Sequence, residues 1–275
     1  MASATLTVTD LITHSRFEPA AAAAVLFGGW WYLAAIRRLA GRGRQWPLRR
    51  TVPFLSGLGV IAIATQTGVA AYDTTYFTAH VVQHLLLGML GPVLLALGAP
   101  VTLALQASSR ETRRRLLKVL RGRAVRVLTH PLTAWVLFGG SMFALYFTKL
   151  YADTLHNTAL HDLVHVHFVL AGCLFFWLVV GLDPTPHRLP YAGRILYVLV
   201  ALPFHTILGV ALVTQTKLIA PGLTLTDQQA GAGILWSAGE ALGLIAVMVV
   251  AVQWMNAEER EAARHDRQLD AALPS

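Results

Sequence analysis

The sequence predicts an all-α integral membrane protein, a seven-transmembrane helix bundle with its N-terminus outside and its C-terminus cytoplasmic. Three observations carry that expectation. Of 275 residues, 55% are hydrophobic and only 13% charged, whereas a soluble domain carries roughly 25% charged residues. Seven runs supply the stretch of about 20 mostly apolar residues that a bilayer crossing needs: about 19–36, 53–71, 78–97, 132–150, 159–181, 192–213 and 231–254. Of the 22 lysines and arginines, 19 fall in alternate connections and in the C-terminal tail, leaving Arg16, Lys149 and Lys217 on the opposite side. Basic residues mark the cytoplasmic side, so this alternation sets the orientation, and an odd number of crossings preserves it. Residues 1–275 are expected to form a single membrane domain. No basic region precedes the first apolar run, which has only Arg16 after Asp10, so a cleaved leader is not expected.

Span 1 ends in Trp30-Trp31-Tyr32 and Arg37-Arg38, aromatic and basic residues that anchor a helix at the interface. Span 2, opened by Pro53, carries Gly57, Gly59 and Gly68, small residues that let helices approach closely. Span 3 contains His80-Val-Val-Gln-His84, is broken by Gly91-Pro92 and ends at Leu97-Gly98-Ala99-Pro100. From 109 to 127, Leu116, Leu117 and Leu120 line one side among arginines, the pattern of a basic amphipathic helix lying on an anionic inner leaflet. Lipid accounts for those charges, and no nucleic-acid partner is expected. His130-Pro131 marks the start of span 4, which closes in an aromatic belt from Tyr146 to Tyr151. Span 5 opens with His161-Asp162-Leu163-Val164-His165-Val166-His167-Phe168 and ends at Gly181. A proline-stiffened loop follows, with His187 in solvent. Span 6 contains Pro203-Phe204-His205, and a proline there bends the helix. Span 7 buries Glu240, and 256–275 form a polar tail. Cys173 is the only cysteine, which excludes an intrachain disulfide and a multi-cysteine metal site.

Depth organises the polar residues. At about 1.5 Å rise per residue, His84 and His165 lie roughly 9 Å below the outer surface, His205 about 12 Å and Glu240 about 13 Å. His80 and His161 sit one turn nearer the water. Ionisable groups in a membrane cost about 2.5–3.5 kcal/mol each at the bilayer centre and face the bundle interior near a partner. Neutral imidazole is a metal ligand that suits copper or zinc. The pairs His80/His84 and His161/His165, four residues apart, each present two imidazoles on one helix face. The candidate ligands are therefore His80, His84, His161, His165, His167 and His205. His167 points about 200° round the helix from His165. Glu240 is a candidate to orient a ligand or take a released proton.

The elements His80-Val-Val-Gln-His84-Leu-Leu, Leu97-Gly98-Ala99-Pro100-Val101, His165-Val-His167-Phe168, Gly181-Leu182-Asp183-Pro184, Pro203-Phe204-His205 and Asp227-Gln228-Gln229 through Trp236 to Gly239-Glu240 resemble the CtaG-type (caa3-type) cytochrome c oxidase assembly factor family. The resemblance covers about Thr78 to Trp254. It implies a bacterial cytoplasmic-membrane protein that helps to mature a haem-copper oxidase, with oxidase subunits as partners, by delivering copper to a centre exposed on the outer side. Two other readings stay open. A b-type haem carrier would use two histidines on facing helices as axial ligands, and a copper or proton transporter would need a polar path continuing inward. No nucleophile elbow, phosphate loop or His-Glu-x-x-His pattern is present, so an enzyme is not expected.

Overall fold

In lipid every backbone polar group must be satisfied internally, and apolar runs of this length achieve that as helices. The computed structural model describes residues 14–272, which are mostly helical and contain no strand. The residues before 14, where no leader is expected, and 273–275 of the tail lie outside the described residues. In chain order the helices are α1 (Pro19–Ala40), α2 (Leu48–Gln66), α3 (Gly68–Tyr72), α4 (Phe77–Leu85), α5 (Gly91–Leu97), α6 (Pro100–Ala107), α7 (Arg110–Leu120), α8 (Arg123–Leu128), α9 (Pro131–Trp135), α10 (Ser141–Phe147), α11 (Leu150–His156), α12 (Thr158–Val180), α13 (Tyr191–Thr214) and α14 (Leu225–Ala272). π-helical turns at Leu86–Leu90 and Val136–Gly140 join α4 to α5 and α9 to α10.

Six stretches are long and apolar enough to cross a membrane: Pro19–Ala40, Leu48–Tyr72, Phe77–Ala107, Thr158–Val180, Tyr191–Thr214 and Leu225–Gln268. A seventh exists if Pro131–Phe147 and Leu150–His156, bent by 75°, count as one span. The bend falls at Thr148, whose hydroxyl donates to the Ala144 carbonyl and accepts from the Leu150 N–H. Leu26, Phe27, Leu170, Ile207 and Met248 are exposed on these helices, as expected where lipid is the solvent.

Several expectations are corrected. α2 begins at Leu48, so Pro53 lies in its second turn and costs it one backbone bond rather than opening it. Residues 109–127 form two helices, because Gly122 has extended backbone and starts α8 afresh. Neither α7 nor α8 has a buried residue. As far as Ala272 the polar tail continues α14, rich in the helix-favouring Ala, Glu and Arg. Tyr32 is fully buried instead of interfacial, stacked on Phe54 at 3.8 Å and donating to the Gly98 carbonyl at 2.8 Å. His187 is half-buried against His130, ring centroids 5.3 Å apart, because the proline loop folds back on the start of α9. Arg194, counted among the surface charges, is 3% exposed. Its guanidinium takes the Val180 and Leu189 carbonyls and packs against Gly181 at φ +58°, closing the C-terminus of α12.

Two carboxylates fasten the third span at both ends. Tyr76 gives α4 no side-chain cap, and Asp227 from the first turn of α14 accepts instead from the N–H groups of Phe77 (2.6 Å) and Thr78 (3.3 Å). Asp183 does the same for α6, accepting from Val101 (3.1 Å) and Thr102 (2.6 Å). Capping residues contribute roughly 1 kcal/mol, up to about 2, so Asp227→Ala is expected to lower stability by about 1–2 kcal/mol in a detergent unfolding titration. Burial pushes the Asp183 carboxyl above the ordinary aspartate range, and its bonds from Thr102 and Val101 offset only part of that. A raised folded-state value means the folded chain holds the proton more tightly than the unfolded chain. The contribution is therefore fully present below about pH 4 and is lost as pH rises through the folded value. Asp183→Asn should flatten that stretch of the stability–pH curve, measured by thermal unfolding.

Candidate metal centre

The third span and α12 cross where both lack side chains. A Cβ on Gly172 of α12 would collide with the Gly88 carbonyl and lie 2.8 Å from Pro92 Cγ. This close crossing sets α12 against α5 and the π-helical turn, and just above it the histidine rings of α4 and α12 reach each other. The π-helical turn begins immediately after this histidine pair's helix, a feature frequent at functional sites. Asn157 caps α12 by accepting from the Leu160 N–H, and Asp227 caps α4, so both histidine-bearing helices start from fixed points.

Four imidazoles meet between them. Ring centroids are 3.9 Å apart for His80 and His84 and 4.3 Å for His161 and His165. Across the helices, His80 lies 6.2 Å from His161 and His84 lies 6.0 Å from His165. None is more than 6% exposed. His80 and His161, expected near the water, are therefore fully enclosed, because Tyr151 and Asp73 cover them. Tyr146 and Tyr151, expected in an interfacial belt, are buried here too. The Tyr146 hydroxyl pairs with His84 Nδ1 at 3.2 Å, and the Tyr151 ring lies 4.7 Å from His80. The bend at Thr148 turns both tyrosines inward.

The residue that sequence reasoning missed is Asp73. It is fully buried, and its Oδ2 accepts from His161 Nε2 at 2.8 Å and lies 3.9 Å from His165 Nε2. Donor atoms of Asp73, His161 and His165 all fall within 4.8 Å of one another. Thr67 places it there. Its extended backbone ends α2, its hydroxyl donates to the Ile63 carbonyl and accepts from the Val69 N–H, and the short α3 turns Asp73 inward. The available signal was a lone carboxylate in the short connection four residues ahead of the His80 helix.

Among the described residues nine imidazole nitrogens are buried without a hydrogen-bond partner, and five of them belong to this group: both on His80, both on His165, and Nε2 on His84; the other four are single nitrogens on His167 and His187 and both on His205. Leaving a buried polar atom unpaired costs about 1–3 kcal/mol, and native interiors pair the great majority of such atoms. The donor set fits a borderline cation such as copper or zinc, which takes imidazole and carboxylate together. His161, held by Asp73, has the carboxylate–histidine pairing that orients metal ligands.

The other two histidines lie elsewhere. His167 is half-buried on another face of α12, its ring against Phe168. His205 is 3% exposed, packed on Phe138 and facing a cavity of about 10 Å³ shared with Met89. Glu240 accepts from the Thr206 hydroxyl, next to His205, and none of its hydrogen bonds reaches the four-histidine group. Equal depth thus brought His84 and His165 together but not His205, whose helix carries it to another side of the core.

Residues 30–257 match the family described as cytochrome c oxidase caa3 assembly factor (Caa3_CtaG). The uncharacterized protein Mb0105 of Mycobacterium bovis is 34% identical over 96% of this chain and 43% of its own length. The uncharacterized protein ML1998 of Mycobacterium leprae is 35% identical over 93% of this chain and 42% of its own length. The chain thus spans less than half the length of these curated relatives. No solved structure matches it.

Proposed function

The chain belongs to the cytochrome c oxidase caa3 assembly factor family, and on that premise we propose that it binds copper through His80, His84 and His165, with His161 and Asp73 completing the site, and passes the ion to a haem-copper oxidase. The role is non-catalytic, and the partners are the oxidase subunits that receive the metal. The histidine-bearing end faces the outer side of a bacterial cytoplasmic membrane, with the N-terminus outside, while the arginine-rich connections meet anionic lipid on the cytoplasmic side. One observation carries the reading: five imidazole nitrogens, converging from two helices, are buried and unpartnered. Copper ligation would give one nitrogen on each of His80, His84 and His165 a lone-pair acceptor and remove that part of the penalty.

A haem between His84 and His165 has less support. The space beside that pair is filled by the rings of His80 and His161, at 3.9 and 4.3 Å from their neighbours, and a flat macrocycle would displace both. Elemental analysis with an absorption spectrum, on protein purified in detergent under reducing conditions, tests the proposal. About one copper per chain without a Soret band is expected from a single site of this size, and a Soret band without copper would sink it.

A further inference from the structure

A second set of donors touches the first through a shared ligand. Donor atoms of Glu18, Asp162 and His165 also lie within 4.8 Å of one another. Asp162 is exposed, Glu18 half-buried and His165 6% exposed, so the set grades from water to interior. Both ring nitrogens of His165 and Oε1 of Glu18 are buried and accept or donate no hydrogen bond. Glu18 is held in place by its backbone, its N–H donating to Gln66 Oε1 and its carbonyl accepting from Gln66 Nε2. One cation already lies along this line. Arg16 Nε is 3.6 Å from Glu18 Oε1, and its Nη1 is 3.7 Å from the fully buried Asp73 Oδ1.

We propose that Glu18, Asp162 and His165 form an outer station that takes a hydrated divalent cation from water and hands it, through His165, to the inner group of Asp73 and the histidines. Arg16 is the tethered placeholder between the two carboxylate groups and withdraws as the ion passes. Carboxylate oxygens suit a still-hydrated cation and imidazole a borderline one, so the donors soften along the path. His165 belongs to both sets and exchanges partners without releasing the ion. The ion keeps its charge and oxidation state, and only ligands exchange. A negative mouth also raises the arrival rate of cations, by about 10-fold or more at low salt.

This relay rests on the copper-binding reading, and its test separates the two. The full chain in detergent is mixed with aqueous Cu(II) sulfate in a stopped flow, and the rate of the copper absorbance change is recorded beside the final copper per chain. Glu18→Gln with Asp162→Asn is expected to slow loading about tenfold while leaving the final copper unchanged. Arg16→Gln should speed it. Loading of the double variant at the wild-type rate overturns the relay and leaves the inner site standing. A matching loss of final copper also overturns it, since the carboxylates would then be permanent ligands. Should Glu18→Gln impair folding, Asp162→Asn alone, at an exposed position, is expected to slow loading several-fold at low salt and not at high salt, and an unchanged rate overturns the proposal. No copper uptake by the wild type overturns both readings.

Discussion

Protein carrying His84→Ala together with His165→Ala is expected to retain background copper only, with affinity lowered by well over about 100-fold. Losing a group that merely orients a ligand costs about 10–100-fold, and this variant removes three of the five unpartnered nitrogens outright. It should nevertheless fold. Each truncation opens a cavity, but each also removes buried polar atoms that cost about 1–3 kcal/mol when unpaired, so the two effects oppose each other. Copper per chain by elemental analysis, beside a thermal melt, separates lost ligation from lost structure. His167→Ala and His205→Ala, which lie outside the four-histidine group, should leave the copper content unchanged. A wild-type copper content in the double variant would remove the proposed site altogether.

The second large effect is structural. Gly172→Val should abolish the native packing, because its Cβ alone would collide with the Gly88 carbonyl and press on Pro92. Overfilling a packed site costs about 1–3 kcal/mol and sometimes more, and here the obstacle is backbone that cannot rotate away. α12 would have to move off the third span, pulling His165 from His84. The expected readout is a low yield and an aggregated profile in size-exclusion chromatography. Gly59→Ala is the contrasting substitution. Nothing lies within 4 Å of its added Cβ, and replacing a mid-helix glycine with alanine should stabilise the helix by up to about 1 kcal/mol.

Much of this was legible in the sequence for physical reasons. Apolar length gave the helices, and the four-residue spacing placed His80 with His84 and His161 with His165, because helix geometry is local. Gly57 read correctly as a packing residue, since its added Cβ would come within 3.0 Å of the Gly91 carbonyl. Depth along a helix is also local, but direction round the bundle is not, and this is why His205 was grouped with histidines it does not meet. Asp73 was invisible for a related reason. Its place depends on where Thr67 breaks a helix and on which side the short α3 turns, both decided by tertiary packing. Tyr146 and Tyr151 looked like interfacial aromatics because composition alone does not show the 75° bend between their helices.

The cap that Asp227 places on α4 comes from 150 residues further along the chain. A ribosome adding about 5–20 residues per second needs roughly 8–30 s to reach it. Through that interval the helix carrying His80 and His84 is already made but begins with unanswered N–H groups. The cap is supplied only when Asp227 emerges. The residue that caps this helix is thus made after every member of the histidine group, from Asp73 to His165.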